Sequence, residues 1–186
     1  NLKFGLHYDG LYKSAILANV TNKKTFFKND FLSADLVLGD NVRYYFDYYI
    51  DNGFQLSYGF KSQLNRFNKN IPVSVITYNS EATNSINIDY LDLSNQLYIQ
   101  SVFAQKFLIG VGVEFEYLDI TSETLELNEV ITRSTYSSIF GYIKYDSYDN
   151  KHFPKKGWFF SGNPQFYMFS SESSANFEPF SILSVE

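Results

Sequence analysis

The chain has 186 residues, no cysteine, two histidines, 19 Phe, 16 Tyr and one Trp, and a formal net charge of −5. Its basic residues are scattered, which argues against a nucleic-acid partner, and the missing thiols exclude a disulfide scaffold, a thiolate metal site and a cysteine nucleophile. Charged residues make up 19%, against about 25% in ordinary soluble domains, and the longest apolar-or-glycine run, Phe107 to Val113, is too short for a membrane helix.

In chain order, strands are predicted at 2–9, 13–21 and 31–39, with turn signals at Asp9-Gly10 and Gly39-Asp40-Asn41. Over Val42–Ile50 one face reads Val42, Tyr44, Phe46, Tyr48, Ile50 and the other Arg43, Tyr45, Asp47, Tyr49. After Asp51-Asn52-Gly53, the 54–61 strand alternates Phe54, Leu56, Tyr58, Phe60 with Gln55, Ser57, Gly59, Lys61. A turn is predicted at Asn68-Lys69-Asn70 before Pro72, then strands at 72–79 and 86–103. Phe107–Tyr117 holds strict alternation, with Phe107, Ile109, Val111, Val113, Phe115 and Tyr117 opposite Leu108, Gly110, Gly112, Glu114 and Glu116. Further strands follow at 134–147, 157–169 and 177–186. No stripe of period 3.6 is long enough for a helix, so the expected fold is all-β: about eleven strands in an antiparallel meander, forming one domain over 1–186.

Alternation of this kind is shared by a soluble β-sandwich, a form an extracellular adhesion or binding module would take, and by a membrane barrel with its apolar face outward. Three features favour the transmembrane barrel. The 107–117 alternation is as long as the roughly 9–11 residues a tilted strand needs to cross a bilayer. The polar faces mix Arg43, Asp47, Lys61, Glu114 and Glu116 with glycines, which suits a wet lumen. Aromatic residues gather near strand ends (Phe4, Tyr8, Phe26, Phe27, Tyr117, Tyr145, Tyr148, Phe153, Trp158, Phe159), as interfacial girdles require.

Asp149, Phe153, Pro154 and Gly157, within the stretch Tyr145 to Trp158, resemble the strand–turn–strand element of bacterial surface-antigen barrels, the superfamily of the BamA outer-membrane assembly factor. Proline presets φ for such a turn and glycine supplies a conformation or close approach that a side chain forbids. The earlier stretches Leu2–Asp9 with Lys13-Ser14-Ala15-Ile16-Leu17, Leu36–Arg43, Asp47–Gly53 and Gly110–Tyr117 are most similar to the barrel joined to patatin-like phospholipases of Bacteroidetes-type bacteria. The resemblance implies an outer-membrane location in a Gram-negative bacterium, with outer-membrane lipid, an upstream domain of the same polypeptide and other outer-membrane proteins as partners. It implies anchoring or translocation of the upstream domain, without cofactor or catalysis by the barrel. An assembly or secretion pore of the same superfamily is the alternative function.

Such barrels have sixteen strands, and their Val-Arg-Gly-Phe lumen motif is absent here; Val42-Arg43-Tyr44 echoes it only superficially. The expectation is therefore a fragment that stops before the last strands, with a small complete barrel as the other possibility; the start at Asn1 rather than Met likewise suggests a processed or excised chain. In the relatives the Phe-Pro turn is periplasmic. Alternating hairpins then put Gln105-Lys106 and Gly39-Asp40-Asn41 on that side, with 22–30, 120–133 and the tight Asp51-Asn52-Gly53 turn outside.

Other chemistry is thinly represented. The nearest approach to a Gly-x-Ser-x-Gly nucleophile elbow, Leu56-Ser57-Tyr58-Gly59, has Gln55 where the first glycine belongs. His7 and His152 are far apart, and Asp146, Asp149 and Asn150 lack calcium-loop spacing, so turn chemistry accounts for them better than a metal. Glu114 and Glu116 share a face as any i, i+2 strand pair must. Asn19-Val20-Thr21 matches a glycosylation acceptor that has meaning only in a eukaryotic secreted protein.

Overall fold

The computed structural model describes residues 1–10, 13–76, 82–122, 130–150, 152–171 and 177–186. Ten strands are present: β1 (Leu2–Asp9), β2 (Lys13–Lys23), β3 (Asp30–Gly39), β4 (Arg43–Ile50), β5 (Ser57–Ile76), β6 (Ala82–Phe103), β7 (Phe107–Ser122), β8 (Val130–Asp146), β9 (Phe159–Ser170) and β10 (Phe180–Val185). They form a single antiparallel sheet in sequence order, with β1 and β10 as its edges. Among the described residues there is no helix, and each strand pairs its backbone only with its neighbours in sequence.

The sheet is inverted with respect to a soluble protein. Along β7 the odd positions Phe107 to Phe115 are exposed, while Gly110 and Gly112 on the other face are buried. Among the described residues the buried apolar side chains are Ala15 and Tyr98, and the most deeply buried are Ser57, Ser122 and Ser134. The accessible surface is 13074 Å² for 21.6 kDa, where a compact soluble protein of that mass exposes about 9,200 Å². No second layer covers the apolar face among the described residues, so the soluble-sandwich reading fails.

The polar face is the concave one. Strands lie about 4.8 Å apart, so strands two places apart are separated by nearly twice that. Gln100 on β6 nevertheless reaches Tyr49 on β4, and Gln165 on β9 reaches Glu114 on β7. Side chains that meet across an intervening strand fit a sheet that curls toward them, as a barrel wall does.

The strand count falls one short of the alternation reading because residues 57–61 of the predicted 54–61 strand and 72–76 of the predicted 72–79 strand belong to one 20-residue strand, β5, that runs through the supposed 62–71 connection, while 54–56 lie in the preceding turn. Residues 62–70 are mostly polar, with Leu64 on one face and Phe67 on the other, so no alternation marks them as a strand. Pro72 is accommodated where the β5–β6 register shifts, between Pro72 and Val75. Residues 77–79 lie outside the described residues.

Losing one strand reverses the side of every earlier turn. The turns at 24–29, 51–56, 104–106 and 147–158 all lie at one end of the sheet, and the Asp40–Val42 turn lies at the other. The expected placement of 105–106 with the Phe-Pro turn holds. Gly39-Asp40-Asn41 and the 22–30 connection are exchanged relative to expectation, and the tight Asp51-Asn52-Gly53 turn joins the Phe-Pro side. The 120–133 connection falls partly outside the described residues; its flanking strand ends, Ser122 and Val130, are at the far end, as expected.

Candidate functional site on the concave polar face

Register assembles this face row by row. Tyr49, Gly59, Tyr98, Gly112 and Phe140 lie opposite one another in succession across β4 to β8. In the adjacent row stand Asp47, Lys61, Gln96, Glu114 and Ser138. Three of the five charges singled out in the sequence thus share one row. Glu116 stands one row further, opposite Ser94, and Arg43 one beyond, opposite Asn65.

Glycine sets the first row. A Cβ on Gly59 would lie 2.1 Å from Tyr98 Cζ, one on Gly110 would lie 2.2 Å from Tyr142 Cζ, and one on Gly112 would meet both Phe140 Cζ and the Leu97 carbonyl oxygen at 2.5 Å. Each ring therefore lies over a glycine of the neighbouring strand, filling space that a side chain would occupy. Around Tyr98, the Lys61 Nζ sits 5.1 Å from the ring centroid, Tyr49 stacks at 6.4 Å and Tyr142 meets it edge-on at 6.4 Å. Gln100 joins the other two tyrosines: its Nε2 donates to the Tyr49 hydroxyl at 2.7 Å and its Oε1 accepts from the Tyr142 hydroxyl.

Glu114 is the node of the second row. Its Oε1 accepts from Ser94 Oγ at 2.5 Å and Gln96 Nε2 at 2.8 Å, and its Oε2 accepts from Gln165 Nε2 at 2.6 Å. Gln165 also donates to Ser138 Oγ at 3.0 Å. Both oxygens of this carboxylate are held by neutral donors of its own wall, an arrangement that ties β6, β7 and β9 together. Charge-assisted hydrogen bonds of this kind are the strong members of a polar network.

The Phe-Pro turn is built by Asp149, whose Oδ1 accepts from the backbone amides of Lys155 at 2.9 Å and Lys156 at 3.1 Å. These two amides hold its carboxyl below the usual carboxylate range. Gly157 has φ +116°, and a Cβ there would sit 2.4 Å from the Ser147 carbonyl oxygen. The turn closes through Trp158 N donating to Ser147 Oγ at 2.8 Å. Phe153 and Trp158 project from it, 80% and 79% exposed.

Asp30, which drew no attention in the sequence, does the same work for the 24–29 turn. It accepts from the amides of Thr25 at 2.6 Å, Phe26 at 2.7 Å and Phe27 at 2.9 Å, and from the Tyr48 hydroxyl at 3.0 Å. Burial beneath the turn raises its pKa, but these donors outweigh that and lower it to about 2. The local signal was an aspartate three to five residues after the amides it accepts from, easily mistaken for the polar start of a strand.

The predicted girdle residues divide between the two ends. Phe26, Phe27, Tyr145, Tyr148, Phe153, Trp158 and Phe159 gather at the end bearing the Phe-Pro turn, whereas Tyr8 and Tyr117 lie toward the far end. Exposed Phe54, Leu56 and Phe103 complete what is here called the aromatic rim. Beyond Phe115 the outward face turns polar: Arg133 Nη2 pairs with Asp119 at 3.0 Å and Asn68 donates to Asp89 at 2.9 Å.

A family model described as the OMP85 superfamily matches residues 1–186. No curated protein and no solved structure matches the chain.

Proposed function

The chain belongs to the OMP85 superfamily of outer-membrane β-barrel proteins, and from that premise we propose that it is wall from the barrel domain of a patatin-like phospholipase fusion in a Gram-negative bacterium. Residues 1–186 form one barrel domain within a sixteen-stranded barrel. The barrel anchors the upstream hydrolase domain or passes it across the outer membrane, and carries no chemistry of its own. Outer-membrane lipid, the upstream domain and other outer-membrane proteins are its partners.

The observation that carries the barrel role is the inverted sheet, with apolar side chains on the uncovered convex face and polar ones on the concave face. Arg43, Asp47, Lys61, Glu114 and Glu116 are then lumen charges, because Arg or Lys facing lipid at the midplane costs about 2–4 kcal/mol. Support for the patatin-type cargo comes from the stretches Leu2–Asp9 with Lys13–Leu17, Leu36–Arg43, Asp47–Gly53 and Gly110–Tyr117. The rim bearing that turn faces the periplasm, and the far ends of β5 to β8 stand outside.

The gene around this segment tests the cargo. A Gly-x-Ser-x-Gly hydrolase domain encoded upstream is expected; tandem small α/β periplasmic modules with no hydrolase would replace this reading with the assembly-pore one. Deleting the barrel should leave such a hydrolase in the periplasm, and surface exposure of the hydrolase without the barrel would refute anchoring and translocation together.

A further inference from the structure

We propose that the aromatic rim is a binding surface for anionic phospholipid headgroups. The inference rests on the membrane-barrel reading and is independent of any cargo. Lysines accompany the exposed aromatic residues in three of the four rim turns. Lys23, Lys24 and Lys28 flank Phe26 and Phe27, Lys106 stands between Phe103 and Phe107, and Lys155 and Lys156 lie between Phe153 and Trp158. All six are exposed, and among the described residues none of their ammonium groups is in an ion pair.

The carboxylates of the same turns are already engaged. Asp30 and Asp149 accept the amides described above, Asp51 accepts from Gly53 N at 2.8 Å, and Asp146 accepts from Tyr148 N at 2.9 Å. Glu186, at the end of β10, is the other acid at this end. By register Lys23, Lys144, Asp146 and Glu186 fall on the concave face. Of the remaining rim charges, Lys24, Lys28, Lys106, Lys155 and Lys156 outnumber Asp30, Asp51 and Asp149, although acids outnumber bases in the chain as a whole. The rim is therefore a local cationic belt on an anionic protein.

The geometry fits one environment. Phenylalanine and tryptophan settle at the boundary between acyl chains and headgroups, and lysine stems lie along apolar surface while their ammonium groups reach the charged layer. Each lysine near an anionic surface contributes about 1 kcal/mol of attraction, roughly a fivefold preference. Toward the far end, by contrast, the outward Arg133 is paired with Asp119.

The test uses the full-length protein reconstituted in phosphatidylcholine vesicles containing a trace of spin-labelled phosphatidylglycerol or, separately, spin-labelled phosphatidylcholine. Electron paramagnetic resonance reports the fraction of each probe immobilised by protein. Phosphatidylglycerol is expected to be preferred by about fivefold, the preference falling with added salt. The variant Lys28→Gln, Lys106→Gln, Lys155→Gln, Lys156→Gln should bring it close to unity, and Lys→Arg at the same positions should retain it. Immobilised lipid without headgroup preference, or a preference unchanged in the Gln variant, overturns the rim proposal alone. No immobilised lipid of either kind overturns the membrane-barrel reading and the rim with it.

Discussion

A methyl group added at Gly112 would meet the backbone carbonyl of Leu97, whereas one added at Gly59 would meet only the ring of Tyr98. A ring can swing away and a paired strand cannot. Gly112→Ala should therefore destabilise the barrel by about 1–3 kcal/mol, the usual cost of overpacking, measured as a lowered urea midpoint in lipid vesicles. Gly59→Ala should be relieved by adding Tyr98→Ala, and no such partner should relieve Gly112→Ala. Glu114→Ala leaves donors on Ser94, Gln96 and Gln165 without their acceptor, and the expected loss in the same assay is about 1.5–3 kcal/mol. The sequence shows that Gly59, Gly110 and Gly112 share faces with polar residues. It does not show which ring covers which glycine, because that depends on the register between strands, which alternation leaves free.

At the scale of elements, β7 was legible because lipid on one side and water on the other impose opposite demands on alternate residues. β5 was legible at its two ends, 57–61 and 72–76, but not between them, since residues 62–70 are mostly polar, with Leu64 and Phe67 on opposite faces, and carry no contrast. Val111 lies in the middle of the outward series from Phe107 to Phe115. Val111→Arg should cost about 2–4 kcal/mol in vesicles, and Gln96→Arg on the opposite face much less; equal costs would contradict the assigned faces. The 24–29 turn gives a pH test. The folded pKa of Asp30, about 2, lies below the ordinary carboxylate value of about 3.9. Its contribution is thus full above that ordinary value and is lost as pH falls through 2. The amide resonances of Thr25, Phe26 and Phe27 should titrate together with a midpoint of about 2, and Asp30→Asn should abolish the titration.

For the whole molecule, fold class, meander order and superfamily were readable from one-dimensional pattern and one turn motif, and the sidedness of the early turns was not. A single fused strand reverses every side before it, so sidedness is more fragile than fold class. Cysteine-attached spin labels at Phe153 and Asp40 should report opposite sides of the membrane when quenched from one side only; quenching of both would restore the eleven-strand count. The 20 and 22 residues of β5 and β6, at about 3.3 Å each, extend roughly twice the thickness of a hydrocarbon core of about 30 Å. The polar outward pairs beyond Phe115 suit that overhang.

Strictly consecutive pairing carries a consequence for how such a wall changes over generations. Because each strand pairs its backbone only with the two beside it in the chain, inserting or deleting one hairpin rewires no other ladder and disturbs only the side chains that reach across the altered strands. Circumference becomes a matter of counting hairpins, and a gene can widen or narrow it by in-frame duplication or loss while every surviving pair keeps its register.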